Sequence, residues 1–176
     1  MVKLTISQCL RRAKSIKGRI AELKARASAS VSYIREKKPK FDFKTTREEL
    51  SAVKEDLILI ETAIAVANAT NKIKIGAQEI TIAQAIRNLQ EIKDEIAWLS
   101  SLRLCDETIV EKERNYDDNG KIVIDKVETV YLTDLSEVDR VAQIDKLKKR
   151  FEMLNDLVER ANHTVETGYE APTETK

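Results

Sequence analysis

The chain is poor in the residues that most often carry chemistry. Its 176 residues include one His and two Cys. A lone imidazole, His163, has no second His or Cys near it in sequence, so no metal set is expected. Cys9 and Cys105 stand far apart among apolar helical positions and read as reduced core thiols, not as a disulfide or a nucleophile with its base. Four Gly and two Pro leave long stretches unbroken and supply no glycine-rich phosphate loop. There is no run of some 18 apolar residues, so no membrane span is expected. The opening Met1-Val2-Lys3-Leu4-Thr5 lacks an apolar signal core, and a cytoplasmic setting is expected. No cofactor is implied. With no nucleophile–base pair, metal set or phosphate loop, the expectation is a protein that is not an enzyme.

What is present is helix-forming sequence. The composition is 42% hydrophobic and 35% charged, the mixture of long amphipathic helices. Four segments keep an apolar 3-4 spacing that lines one helix face. They run Ile6 to Ala27, Leu50 to Ala67, Ile82 to Leu99 and Ile144 to Ala161. Each opens on a capping pattern: Thr5 with Gln8, Thr45 with Glu48, Thr81 with Gln84 and Ser136 with Asp139. The near-heptad spacing predicts a mainly α fold, a long antiparallel bundle or coiled coil of four helices with one or two β-hairpin insertions. Residues 1–166 are expected as one domain.

Two connections read as hairpins, near 72–81 and 108–132. Gly76-Ala77 suits a two-residue turn that sets Lys74 opposite Glu79 and Ile73 opposite Ile80. Asn119-Gly120 predicts the second turn, with Arg114 opposite Asp125, Glu113 opposite Lys126, Tyr116 facing Val123, and an unfavourable Glu111–Glu128 pair that invites a bulge. The run Asn115 to Gly120 has the start of a calcium loop, but Lys126 replaces the bidentate Glu at position twelve, so a turn is the better reading. Residues 29–44 read as an exposed loop in which Phe41 and Phe43 alternate like an edge strand. Residues 167–176 read as a disordered tail.

One motif occurs twice. Ala67-Asn68-Ala69-Thr70 and Ala161-Asn162-His163-Thr164 each close a helical stretch, preceded by Leu59-Ile60-Glu61 and Leu157-Val158-Glu159. Asn and Thr there can reach the unpaired carbonyls of a last helical turn. With Asn71 and Arg87 they form the candidate ligand set Asn68, Thr70, Asn71, Arg87, Asn162, His163 and Thr164, suited to a small anion or carboxylate if the helix ends share one pole. The bland alternative is that these groups cap the helices and satisfy one another.

The order of segments resembles a family of small bacterial proteins of unknown function known as septicolysins. The marks are Asn68-Ala69-Thr70-Asn71, the Thr-capped helix with Ala85-Ile86-Arg87-Asn88, and the terminal Asn162-His163-Thr164-Val165-Glu166. Asn88 stands where that family tends to have Asp, and the segment 107–133 is longer than its usual hairpin. The family name suggests a cytolysin, but the chain has no aromatic insertion loop and no strongly apolar hairpin.

Charge is unevenly placed. Residues 1–47 carry +11 and the remainder −10, for a net +1. The basic quarter can pair with Glu48, Glu49, Glu55, Asp56 and Glu61, or it can meet a polyanion, with Arg35, Lys37, Lys38, Lys40, Phe41 and Phe43 as candidate nucleic-acid contacts. Trp98 beside the third stripe, and Tyr131 with Leu132, suit a bundle edge or a subunit contact. The expected function is therefore a homo-oligomeric interaction or scaffold protein, with nucleic-acid binding and small-anion binding as alternatives. Its first partner is a second copy of itself, and no membrane is involved.

Overall fold

A threonine at the end of a short strand opens two of the four helices. In the computed structural model, which describes residues 3–105, 107–116 and 120–170, strand β1 (Lys3–Thr5) leads into α1 (Ile6–Ser30) and β3 (Gln78–Thr81) into α3 (Ile82–Ser101). The Gln8 amide donates to Thr5 Oγ1 at 3.3 Å and the Thr5 amide to Gln8 Oε1 at 2.8 Å. Thr81 and Gln84 repeat the exchange at 3.1 and 2.9 Å. Two first-turn donors are satisfied at each start without tertiary help. Helix α4 (Glu137–Thr164) begins after Ser136, whose hydroxyl accepts the Asp139 amide at 3.0 Å and donates to Asp139 Oδ2 at 2.6 Å.

Helix α2 (Phe43–Thr70) starts two residues before Thr45, the expected cap. Asp42 takes the position: its carboxylate accepts the Thr45 amide at 2.9 Å and the Thr45 hydroxyl at 3.0 Å. Those bonds hold its carboxyl below the usual carboxylate range, which a neutral hydroxyl cap could not match. Phe43 is therefore helical, and residues 31–42 form a loop without the expected edge strand.

The described residues pack as two units. In the unit formed by residues 3–89 and 153–170, α1 and α2 lie antiparallel around Cys9, Ala13, Ile16, Ile60 and Tyr169, with Val53, Leu57 and Ile64 at the margin. Three ion pairs cross between the two helices: Arg12–Asp56 at 3.6 Å, Lys17–Glu61 at 2.7 Å and Arg19–Glu49 at 2.6 Å. Three of the 14 Lys and Arg of residues 1–47 are thus paired with acids of α2. Strand β2 (Lys72–Ile75) pairs with β3 in the expected register, Lys74 opposite Glu79 and Ile73 opposite Ile80, around Gly76 at φ +60°. Residues 166–170 form strand β6 (Glu166–Glu170), antiparallel to β1. The disordered-tail reading thus fails for residues 167–170, because their partner strand lies at the far end of the sequence. Residues 171–176 lie outside the described residues.

In the unit formed by residues 90–152, the second part of α3 and the first part of α4 run antiparallel. Lys93 sits 5.2 Å from the Phe151 ring centroid, and Arg140 Nη1 donates to the Leu102 carbonyl at 2.9 Å. Between them stands the hairpin β4 (Glu107–Tyr116) and β5 (Ile122–Tyr131). Its register differs by one residue from the expected one. Glu113 faces Asp125, Arg114 faces Ile124, Asn115 faces Val123 and Tyr116 faces Ile122. A two-residue turn centred on Asn119-Gly120 would give the other register. Five residues instead separate the last pair, with Gly120 at φ +74°, and an odd loop shifts every pair by one. Glu111 consequently faces Val127, Glu128 faces Val110, and the pairing is continuous with no bulge. Residues 117–119 of the calcium-like run lie outside the described residues.

Candidate functional site

The helix-end residues act first on their own helices. Thr70 Oγ1 donates to the Val66 carbonyl at 2.8 Å, and Thr164 Oγ1 to the Arg160 carbonyl at 3.0 Å. Asn71 returns both its backbone N–H, at 3.0 Å, and its Nδ2, at 2.9 Å, to the Ala67 carbonyl. Asn68 and Asn162 are half-buried, whereas Arg87, His163 and Thr164 are exposed. Asn68 Oδ1 is buried without a hydrogen-bond partner among the described residues. His163 and Thr164 share a shallow surface depression with Asp156, Glu159 and Arg160, all on one helix. No group of three or more His, Cys, Asp or Glu side chains that could hold a metal is found among the described residues.

The helix ends meet in two crosswise pairs. The Ile82 amide at the start of α3 donates to the Asn71 carbonyl at the end of α2, at 3.0 Å. The Ile6 amide at the start of α1 donates to the Val165 carbonyl at the end of α4, also at 3.0 Å. These are copies of one joint, and they expose an internal duplication that the twin Ala-Asn-x-Thr motifs only hinted at. Thr5-Ile6-Ser7-Gln8-Cys9-Leu10-Arg11 matches Thr81-Ile82-Ala83-Gln84-Ala85-Ile86-Arg87. Buried Ile6, Cys9, Ala13, Ile16 and Leu23 correspond to buried Ile82, Ala85, Leu89, Ile92 and Leu99. At the other end Ile60 and Ala67 correspond to Leu154 and Ala161. Each half reads strand, helix, connection, helix, strand, and each half's first strand pairs with the other half's last. The Leu59-Ile60-Glu61 and Leu157-Val158-Glu159 runs are not equivalent, since they stand one helical turn apart relative to Asn68 and Asn162. A signal was available in the repeated Thr-Ile-x-Gln, but the two halves share few identities beyond it.

One polar network is built on β6, where the sequence predicts a tail. Tyr169 Oη donates to Asp56 Oδ1 at 2.5 Å, and the Arg12 guanidinium lies 5.6 Å from the Tyr169 ring centroid. Burial first, then the bond to the Asp56 carboxylate, pushes the Tyr169 phenol up to about 12. Below it, Thr167 Oγ1 donates its only hydrogen to the Leu4 carbonyl at 3.0 Å. Cys9 Sγ, 3.1 Å from that oxygen, must then be the donor of their contact. The network fastens β6 to α1 and α2.

At the 31–42 loop, Arg26 covers the Phe41 ring at 4.6 Å and Lys40 approaches it at 5.9 Å. Phe43 is the first residue of α2. Arg35, Lys37, Lys38 and Lys40 are exposed. On α2 the face opposite the core changes character halfway along. Lys44, Arg47, Glu48, Lys54 and Glu55 are followed by Ile58, Thr62, Ala65, Val66 and Ala69, all exposed. Ile58 and Leu59 are each 63% exposed and Val66 56%.

No helix among the described residues is long and apolar enough to cross a membrane. No protein-family pattern, curated protein or solved structure matches the chain.

Proposed function

We propose that this protein is a non-enzymatic, cytoplasmic scaffold that works by self-association. The observation that carries the reading is the outer face of α2. Over three turns it presents Ile58, Thr62, Ala65 and Ala69, with Leu59 and Val66 alongside, and no charge within the stripe. Thr62 is its one polar member, and its hydroxyl sits on a small side chain. A strip of this kind, uncharged and mainly apolar, on a helix that already has a buried face marks an interface. The strip is complementary to itself. Turned antiparallel about a two-fold axis between Thr62 and Ala65, it sets Ile58 of one copy against Ala69 of the other and Thr62 against Ala65. Large meets small at the ends, small meets small at the centre, and the helices can approach closely. The same register carries Glu55 toward Lys72 just beyond the other copy's helix. Coiled-coil packing, on this reading, forms between copies.

Sedimentation equilibrium across a hundredfold concentration range tests the reading. The wild type sediments above the chain mass, and Ile58→Glu, which places two carboxylates in an isologous contact, raises the dissociation constant of the pair at least a hundredfold. A wild type that stays monomeric throughout overturns the reading. A polyanion alternative rests on the exposed Arg35, Lys37, Lys38 and Lys40, and would show itself as salt-sensitive binding of single-stranded nucleic acid.

A further inference from the structure

The β4–β5 hairpin has two unlike faces. Its ten continuous pairs alternate sides, so the register alone assigns each described side chain to a face. On one face Lys112 faces Lys126, Arg114 faces Ile124, and Val110 faces Glu128. On the other Glu111 faces Val127, and Glu113 stands two residues along the same strand. Three of the four described charges on the first face are positive, and both on the second are negative. Among the described residues none of these six charges is in an ion pair or hydrogen bond.

A two-stranded ribbon in water is marginal at best, and this one adds two liabilities. Lys112 directly opposite Lys126 is a like-charge pair. Its apolar residues lie open, with Val110 50%, Ile124 58% and Val130 60% exposed. Both liabilities vanish when a surface of opposite charge and matching pleat covers each face. The other face of the same hairpin is such a surface.

We propose that this hairpin stacks face to face on the hairpin of a second copy, the Lys112–Arg114–Lys126 face of one on the Glu111–Glu113 face of the next. The inference deepens the self-association reading and rests on it. Like faces cannot stack on each other without opposing Lys112 and Lys126 to their own kind, so the contact is head-to-tail. It therefore propagates into a ring or an open chain. The isologous α2 contact alone would stop at two copies, whereas the two contacts together build an assembly larger than a dimer. The spacing of stacked sheets, about 10 Å, is short enough for Lys and Glu side chains to meet across it.

Charge reversal tests the stacking. Lys112→Glu/Lys126→Glu makes both faces acidic, and Glu111→Lys/Glu113→Lys makes both basic. All four positions are solvent-exposed on a continuous ladder. The wild type is expected above dimer mass, each variant alone at no more than dimer mass, and an equimolar mixture restored to the wild-type mass. Assembly beyond the dimer should also weaken steeply toward 1 M salt, where the screening length falls to about 3 Å. A wild type that stops at the dimer, variants that keep the wild-type mass, or a mixture that fails to reassemble overturns the stacking while leaving self-association through α2 intact. A wild type that never leaves the monomer overturns both.

Discussion

Replacing Tyr169 by Phe removes one oxygen from the network that fastens β6 to the helices. The ring stays, so its burial and the Arg12 contact at 5.6 Å are retained. What is lost is the 2.5 Å bond to Asp56. A hydrogen bond to a charged group is worth about 1.5–3 kcal/mol, and Asp56, still beside Arg12 at 3.6 Å and about a quarter exposed, keeps a partner and some water. The lower end, roughly 1.5 kcal/mol at pH 7, is therefore expected, or a Tm fall of roughly 3–6 °C for a chain of this size. The pH dependence is the sharper test. The folded phenol is raised from 10.0 to about 12, so the neutral form is favoured by folding. That stabilisation is complete below pH 10 and is lost as pH rises from 10 toward 12, in total about 2–3 kcal/mol. Urea unfolding of both proteins at steps from pH 8 to 12 gives a difference curve in which all other titrations cancel. The wild-type advantage should shrink through this window, cancel near pH 11 and turn into a deficit toward pH 12. A constant offset at every pH would refute the account of Tyr169 as a buried donor to Asp56.

Two further predictions concern the helices. Thr5→Ala and Thr81→Ala should each cost about 1 kcal/mol and match within experimental error in urea unfolding, because the two capping boxes are copies of one joint. Gly18→Ala should stabilise by about 0.5–1 kcal/mol in the same assay, since Gly18 lies inside α1 and an added Cβ meets nothing within 4 Å.

The features legible in the sequence are those decided within four or five residues. Thr5 with Gln8 and Thr81 with Gln84 mark their helix starts because donor and acceptor belong to the same turn. Gly76-Ala77 likewise fixes the β2–β3 register through the geometry of a two-residue connection. Errors arose where two local solutions compete. Asp42 and Thr45 both offer an oxygen to the start of α2, and the charged one wins. At the second hairpin, Asn119-Gly120 fits either an even or an odd loop, and the odd one slides Lys112 opposite Lys126. Strand β6 was illegible for another reason. Thr167-Gly168-Tyr169 has no local signal of order, and its partners, Leu4, Cys9 and Asp56, lie more than a hundred residues away in sequence. The candidate ligand set presupposes helix ends that share one pole. In the structure its Asn71, Thr70 and Thr164 are engaged with carbonyls of their own helices, and the strands join those helix ends in two pairs.

The crosswise pairing of strands makes the fold nearly a closed circuit. Lys3 and Glu170 lie on neighbouring strands, in the place where the other half of the duplication has Ile75 and Gln78 joined through Gly76-Ala77. The order in which the polypeptide visits its elements is then a matter of where the circuit is cut. Bridging residues 170 and 3 with a short turn and reopening the backbone between Gly76 and Ala77 exchanges the roles of the two halves while leaving both two-stranded sheets paired. A chain built this way can be started from either repeat.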